Sequence, residues 1–116
     1  MLKSKSIFKI LFLFVLVPLY FTPIAAQSTA ATLSGTVEDQ NSAAIAGASI
    51  TVQNKATSFE RTGTTNESGG FTVPLLPPGT YSIIVRRDGF TSVEVRDIVL
   101  NVGDQKSIQI ALKVAT

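Results

Sequence analysis

The chain has 116 residues, 45% of them hydrophobic, a formal net charge of +2, and neither histidine nor cysteine. That length suits one domain, and the missing residue types exclude a disulfide framework, the usual zinc ligand sets and the general base of a nucleophilic triad. Residues 1–26 hold three lysines and no acid, so the +2 of the whole chain becomes −1 for residues 27–116, where seven basic residues are scattered among eight acids; a concentrated basic face for nucleic acid is excluded as well.

Residues 1–26 read as an export signal. Lys3, Lys5 and Lys9 form a positive start, Ile10 to Val17 is an unbroken apolar run extended by Pro18, Leu19, Tyr20 and Phe21, and small residues follow at Ala25 and Ala26. The alternative is a membrane anchor, but a spanning helix needs about 20 predominantly apolar residues. Here twelve give way to Thr22 and Pro23. Cleavage is expected after Ala26, with Ala26-Gln27-Ser28 as a second site. The product is an exported protein of the periplasm, outer membrane or medium with no remaining membrane span. Residues 27–31 are a polar linker of Gln, Ser, Thr and Ala, and residues 32–114 form the domain.

Period-two alternation, the mark of half-buried strands, then recurs along the domain. It runs through Leu33, Gly35 and Val37, through Ala48, Ile50 and Val52, and returns with Phe71 and Val73. Later repeats carry Tyr81, Ile83 and Val85, then Val93 and Val95, then Ile108, Ile110 and Leu112. The segment Phe59 to Thr64 alternates only weakly, with Arg61 and Gly63 on the face of Phe59, which suits a sheet edge. The connections are short and rich in turn residues: Gln40 to Ser42, Asn66 to Gly70, Pro74 to Gly79, Asp88-Gly89, and Asn101 to Asp104. This spacing predicts an all-β sandwich or barrel. In Pro77-Pro78-Gly79, Pro78 presets a turn and Gly79 is expected at the positive φ of a type II turn. Asp88-Gly89 favours a tight hairpin.

In their order, three blocks resemble the carboxypeptidase regulatory-like domain family. The first runs from Gly35-Thr36-Val37-Glu38-Asp39 through a turn to Ile45-Ala46-Gly47-Ala48-Ser49-Ile50-Thr51-Val52. The second is Thr65-Asn66-Glu67-Ser68-Gly69-Gly70-Phe71, and the third is Leu76-Pro77-Pro78-Gly79-Thr80-Tyr81 followed by Gly89-Phe90. Ser42 stands where the family often has glycine, and Ala46 where it often has proline. The resemblance implies a seven-stranded Greek-key β-sandwich, transthyretin-like and carbohydrate-binding-like. It also implies an accessory role, because similar domains often stand at the N-terminus of TonB-dependent outer-membrane receptors.

The functional expectation is a non-catalytic interaction module of the bacterial envelope, either alone or as the front piece of such a receptor, with a carbohydrate-binding module as the alternative. A transmembrane barrel does not fit after Leu112. No catalytic residue, cofactor or metal is expected. Glu38 and Asp39 are adjacent and so point to opposite faces of a strand, and Asp39-Gln40-Asn41-Ser42 begins like a calcium loop but lacks its glycine and distal glutamate. The candidate contacts for a protein or glycan partner are Phe59, Arg61, Arg86, Arg87 and Phe90. Phe71 and Tyr81 are assigned to the core.

Overall fold

The computed structural model describes residues 18, 20–22 and 29–116. The export signal and its cleavage site therefore fall almost wholly outside the described residues. Seven strands make up the domain: β1 (Ala31–Asp39), β2 (Ser49–Asn54), β3 (Glu60–Thr64), β4 (Gly70–Leu76), β5 (Gly79–Arg86), β6 (Val93–Leu100) and β7 (Gln105–Leu112). β1 takes in Ala31, counted above with the linker, because that residue is fully buried opposite Leu76. There is no helix among the described residues.

Two sheets face each other, one in the order β4-β1-β7 and the other β3-β2-β5-β6. Four of the six connections cross from sheet to sheet, which is the Greek-key arrangement. β1 and β7, the two ends of the domain, run parallel from Thr32↔Gln105 to Asp39↔Leu112, and all other pairs are antiparallel. The inner faces meet in one core of Leu33, Val37, Ile50, Val52, Phe71, Val73, Leu76, Tyr81, Ile83, Val85, Ile98, Leu100, Ile110 and Leu112, all buried. Alternation alone accounts for most of these positions. Gly35 belongs to the same inner face but admits no side chain, since a Cβ there would collide with the Ile108 carbonyl oxygen and lie 2.8 Å from the Phe71 ring. Phe71, its cross-strand partner, fills the space.

The strand parity changes twice. On β4 the buried residues are Phe71, Val73 and then Leu76, and on β6 the inward face passes from Val93 and Val95 to Ile98 and Leu100. Each slip is a bulge, with Pro74 and Leu75 opposite Thr32, and Arg96 and Asp97 opposite Ser82. The inserted residues Leu75 and Asp97 have φ of 59° and 59°, in the left-handed region that side chains other than glycine enter at a cost.

The motif residues act as punctuation for these strands. Thr65, buried, donates its hydroxyl to the Ile45 carbonyl at 2.7 Å and accepts the Ala48 amide at 2.8 Å, joining the β1–β2 and β3–β4 connections. The Asn66 side chain accepts the Ser68 and Gly70 amides, and Gly69 at φ 73° brings its carbonyl to the Val37 amide at 2.7 Å. The Tyr81 hydroxyl donates to the Pro77 carbonyl and ties down the Pro-Pro-Gly corner.

Two turn expectations need correction. Gly79 is not at positive φ, so the type II turn is absent. Glycine is needed there because a Cβ would lie 2.5 Å from Asn54 Nδ2, and Asn54 is buried with its Oδ1 holding the Ala56 and Thr57 amides. The Asp88-Gly89 turn does form, with Gly89 at φ 85° and the Phe90 amide bonded to the Arg87 carbonyl at 3.0 Å. It does not close a tight hairpin, because β6 starts only at Val93 and residues 89–91 pair with the tail at 113–115. Ser42, at φ 62°, occupies the left-handed position for which glycine is better suited.

Candidate functional site

β3 is an edge strand, as its weak alternation suggests. The Asn54 amide bonds the Phe59 carbonyl at 2.8 Å and the Thr65 amide bonds the Ala48 carbonyl at 3.0 Å, with Ile50↔Gly63 and Val52↔Arg61 in register between them. Backbone direction alternates along an antiparallel strand, so Arg61 and Gly63 aim their amides and carbonyls at β2. Glu60, Thr62 and Thr64 aim theirs away, and all three residues are exposed. Among the described residues the strand thus offers three unpaired N–H and C=O sets in a row with no bulge in its pairing.

Phe59 and Arg61 close the side of the sandwich beside that edge. Phe59 is half-buried against the core, the Arg61 guanidinium carbon lies 5.3 Å from its ring centre, and Arg61 Nη1 donates to the Pro74 carbonyl of β4 at 3.3 Å. Arg61 therefore straps one sheet to the other, a cation–π and hydrogen-bond link worth on the order of 1 kcal/mol. Phe59 is not an open stacking platform.

Arg86, Arg87 and Phe90 lie elsewhere. Ser49, at the start of β2, pairs with Arg86, whereas Asn54, at its end beside Phe59, pairs with Tyr81. Five residues of strand separate these ends, roughly 17 Å. Arg86 and Arg87 are exposed and, with Asp88, Ser49 and Phe90, line a shallow cleft of about 440 Å³. The Arg87 guanidinium lies over Gly47, where a Cβ would be 3.5 Å away. Phe90 is half-buried against the core and bridged to Val114. The five predicted contact residues thus form two groups at opposite ends of the four-stranded sheet.

A third group was not predicted. Arg96 donates from Nε and Nη2 to the two carboxylate oxygens of Glu94 at 3.1 and 3.2 Å, and Lys55 Nζ stands 3.9 Å from Glu94 Oε1. The Arg96 hydrogen bonds hold the Glu94 carboxyl below the usual carboxylate range, and Glu94 in turn raises Arg96. Beside them Ser82 is buried with no partner for its hydroxyl. The signal was present in the sequence, since an apolar order of Val93, Val95, Ile98 and Leu100 breaks period two at Arg96-Asp97. Among the described residues no cluster of three His, Cys, Asp or Glu could hold a metal, and no helix is long and apolar enough to cross a membrane.

Solved structures share this fold at low identity. A putative carbohydrate binding protein from Bacteroides uniformis is 22% identical with a TM-score of 0.58, over 71% of this chain and 40% of that one. The dioxygenase domain of a dioxygenase carbohydrate-binding protein fusion from Streptomyces sp. SirexAA-E is 13% identical, with a TM-score of 0.60, over 81% of this chain and 86% of that one. Catechol 1,2-dioxygenase from Acinetobacter sp. ADP1 is 12% identical, with a TM-score of 0.60, over 82% and 56%. This chain therefore spans about two fifths of the first protein and little more than half of the last. At such identities the likeness is one of fold. No curated protein matches the sequence. The family model described as the carboxypeptidase regulatory-like domain matches residues 32–113, the stretch that holds all but the first residue of the two sheets and all three sequence blocks, and the chain belongs to that family.

Proposed function

We propose that this domain is a non-catalytic interaction module that takes a segment of a partner protein as an added strand on β3. The observation that carries the reading is the run of outward backbone groups at Glu60, Thr62 and Thr64, which another extended chain can pair with directly. Edge addition draws affinity from the main chain and needs no deep pocket. Arg61 supports it by bracing the strand from the inner side.

The compartment we propose is the bacterial envelope, reached through the Lys3 to Ala26 export signal. Placement at the front of a TonB-dependent receptor is the corresponding context. The Arg86-Arg87 pair, which lies across β2 from Thr64 at the end of β3, serves in this reading as a solvated loop that orients an acidic neighbour. A carbohydrate reading built on Phe59 or Phe90 as stacking rings is weaker, since both pack against the core.

The test is site-specific photo-crosslinking in the native envelope from Thr62 and, separately, from Ser92 beside the opposite edge strand β6. A discrete protein adduct from Thr62 and none from Ser92 is the expected result. Absence of any adduct from Thr62, or an equal pattern from both positions, overturns the edge proposal. Intact mass of the envelope form tests the export signal independently.

A further inference from the structure

A cleft of about 480 Å³ lies between the β2–β3 loop and the β5–β6 bulge, with Lys55, Ala56, Pro78, Thr80, Ser82, Arg96 and Asp97 among its walls. Its size is that of a small-molecule site. Three features set it apart from the rest of the surface. Ser82 is 2% exposed, and its hydroxyl has no hydrogen-bond partner, a costly state for a buried polar group. The bulge sets Arg96 and Asp97 opposite that serine, with Asp97 at φ 59°. The Asp97 carboxylate makes no hydrogen bond or ion pair among the described residues, whereas Lys55 and Arg96 are both paired with Glu94.

That last contrast selects the ligand. Lys55 and Arg96 are matched in charge by Glu94 and Asp97 together, so the cleft carries no net positive charge to hold an anion. What remains unpaired is a carboxylate, the Ser82 hydroxyl and the exposed Thr80 hydroxyl, a set that suits a neutral ligand rich in O–H donors. Ala56 and Pro78 supply apolar wall for the C–H face of such a ligand. We infer that this cleft binds a short neutral saccharide of one or two rings, with Asp97 accepting hydrogen bonds from adjacent hydroxyls and Ser82 completing the site from its floor. The site needs no aromatic platform and is independent of the β3 edge.

The experiment uses the full chain purified in a sugar-free zwitterionic detergent, so that no maltoside competes. An array of neutral mono- and disaccharides identifies a binding sugar, which is then titrated calorimetrically against wild type, Ser82→Ala and Asp97→Asn. Asparagine tolerates the left-handed backbone as aspartate does, so the second variant removes charge without moving the bulge. The expected result is affinity about tenfold weaker in Ser82→Ala, and about ten- to a hundredfold weaker in Asp97→Asn. Ser82→Ala is expected to melt no lower than wild type, because it removes an unpartnered hydroxyl. Failure of every neutral sugar to bind at millimolar concentration, binding of anionic sugars alone, or wild-type affinity in both variants overturns the inference.

Discussion

The edge strands of the two sheets are handled in different ways. β4 and β6, on opposite sheets, each carry one inserted residue in the left-handed conformation, Leu75 and Asp97, and each bulge breaks the run of outward backbone groups. β4 adds Pro74, which has no amide to offer. β3 has neither device, and its five residues keep a regular register with β2 from Gln53↔Glu60 to Ser49↔Thr64. Bulges and prolines are the usual protection of an exposed edge; β3 lacks both, as does β7, the other outer strand of the three-stranded sheet, whose register with β1 is unbroken from Thr32↔Gln105 to Asp39↔Leu112, so these two edges are the ones left able to pair. The two bulges also differ from each other. Leu75 projects an apolar side chain that is 63% exposed, while Asp97 presents an unpaired carboxylate beside a buried hydroxyl. The same backbone irregularity serves as a stop on one strand and as the wall of a cleft on the other.

The largest effect expected from this comparison concerns neighbouring residues of β3. Gly63→Pro removes an amide bonded to β2 and should destabilise by on the order of 3 kcal/mol. Thr62→Pro removes an amide that faces solvent and should cost less than about 1 kcal/mol, yet abolish crosslinking of a strand partner from a photo-reactive residue at Thr64. Chemical denaturation of the two variants measures the difference, and equal losses would mean that the assigned alternation is reversed.

The corner leaving β4 offers a sharper, somewhat smaller test. Gly79→Ala should destabilise by about 1 to 3 kcal/mol because its methyl group meets the Asn54 amide. In a double-mutant cycle, Asn54→Ala should relieve most of the added cost. Additive losses would indicate backbone strain at Gly79 and would restore a turn requiring positive φ.

The smallest expected effects compare the bulges themselves. Leu75→Gly and Asp97→Gly each release a left-handed side-chain residue, a gain offset in part by the greater entropy of glycine in the unfolded chain, and both should stabilise by about 0.5 kcal/mol. Only Asp97→Gly should weaken saccharide binding. Destabilisation by Leu75→Gly would show that its side chain packs usefully despite its exposure.

Much of this architecture was legible before any coordinates. Period-two alternation located the seven strands, because one face of every strand must leave water, and it assigned Phe71 and Tyr81 to the core correctly. The weak patterning of Phe59 to Thr64 marked an edge, and the ordered blocks around Asn66 and Pro77 marked a family, since turn geometry tolerates few residue types. Tertiary structure alone decided several other matters. Alternation could not show that Phe59 lies under Arg61 while Phe90 pairs with the tail, nor that the five candidate contacts stand at two ends of a sheet, because these depend on which strands become neighbours. Gly79 reads as a turn glycine in isolation, and only the arrival of Asn54 from β2 shows that the missing Cβ, not the backbone angle, is what the site requires. The unpartnered Ser82 hydroxyl is likewise invisible in one dimension, since a serine between Tyr81 and Ile83 looks solvent-facing until the β6 bulge and its charged neighbours cover it.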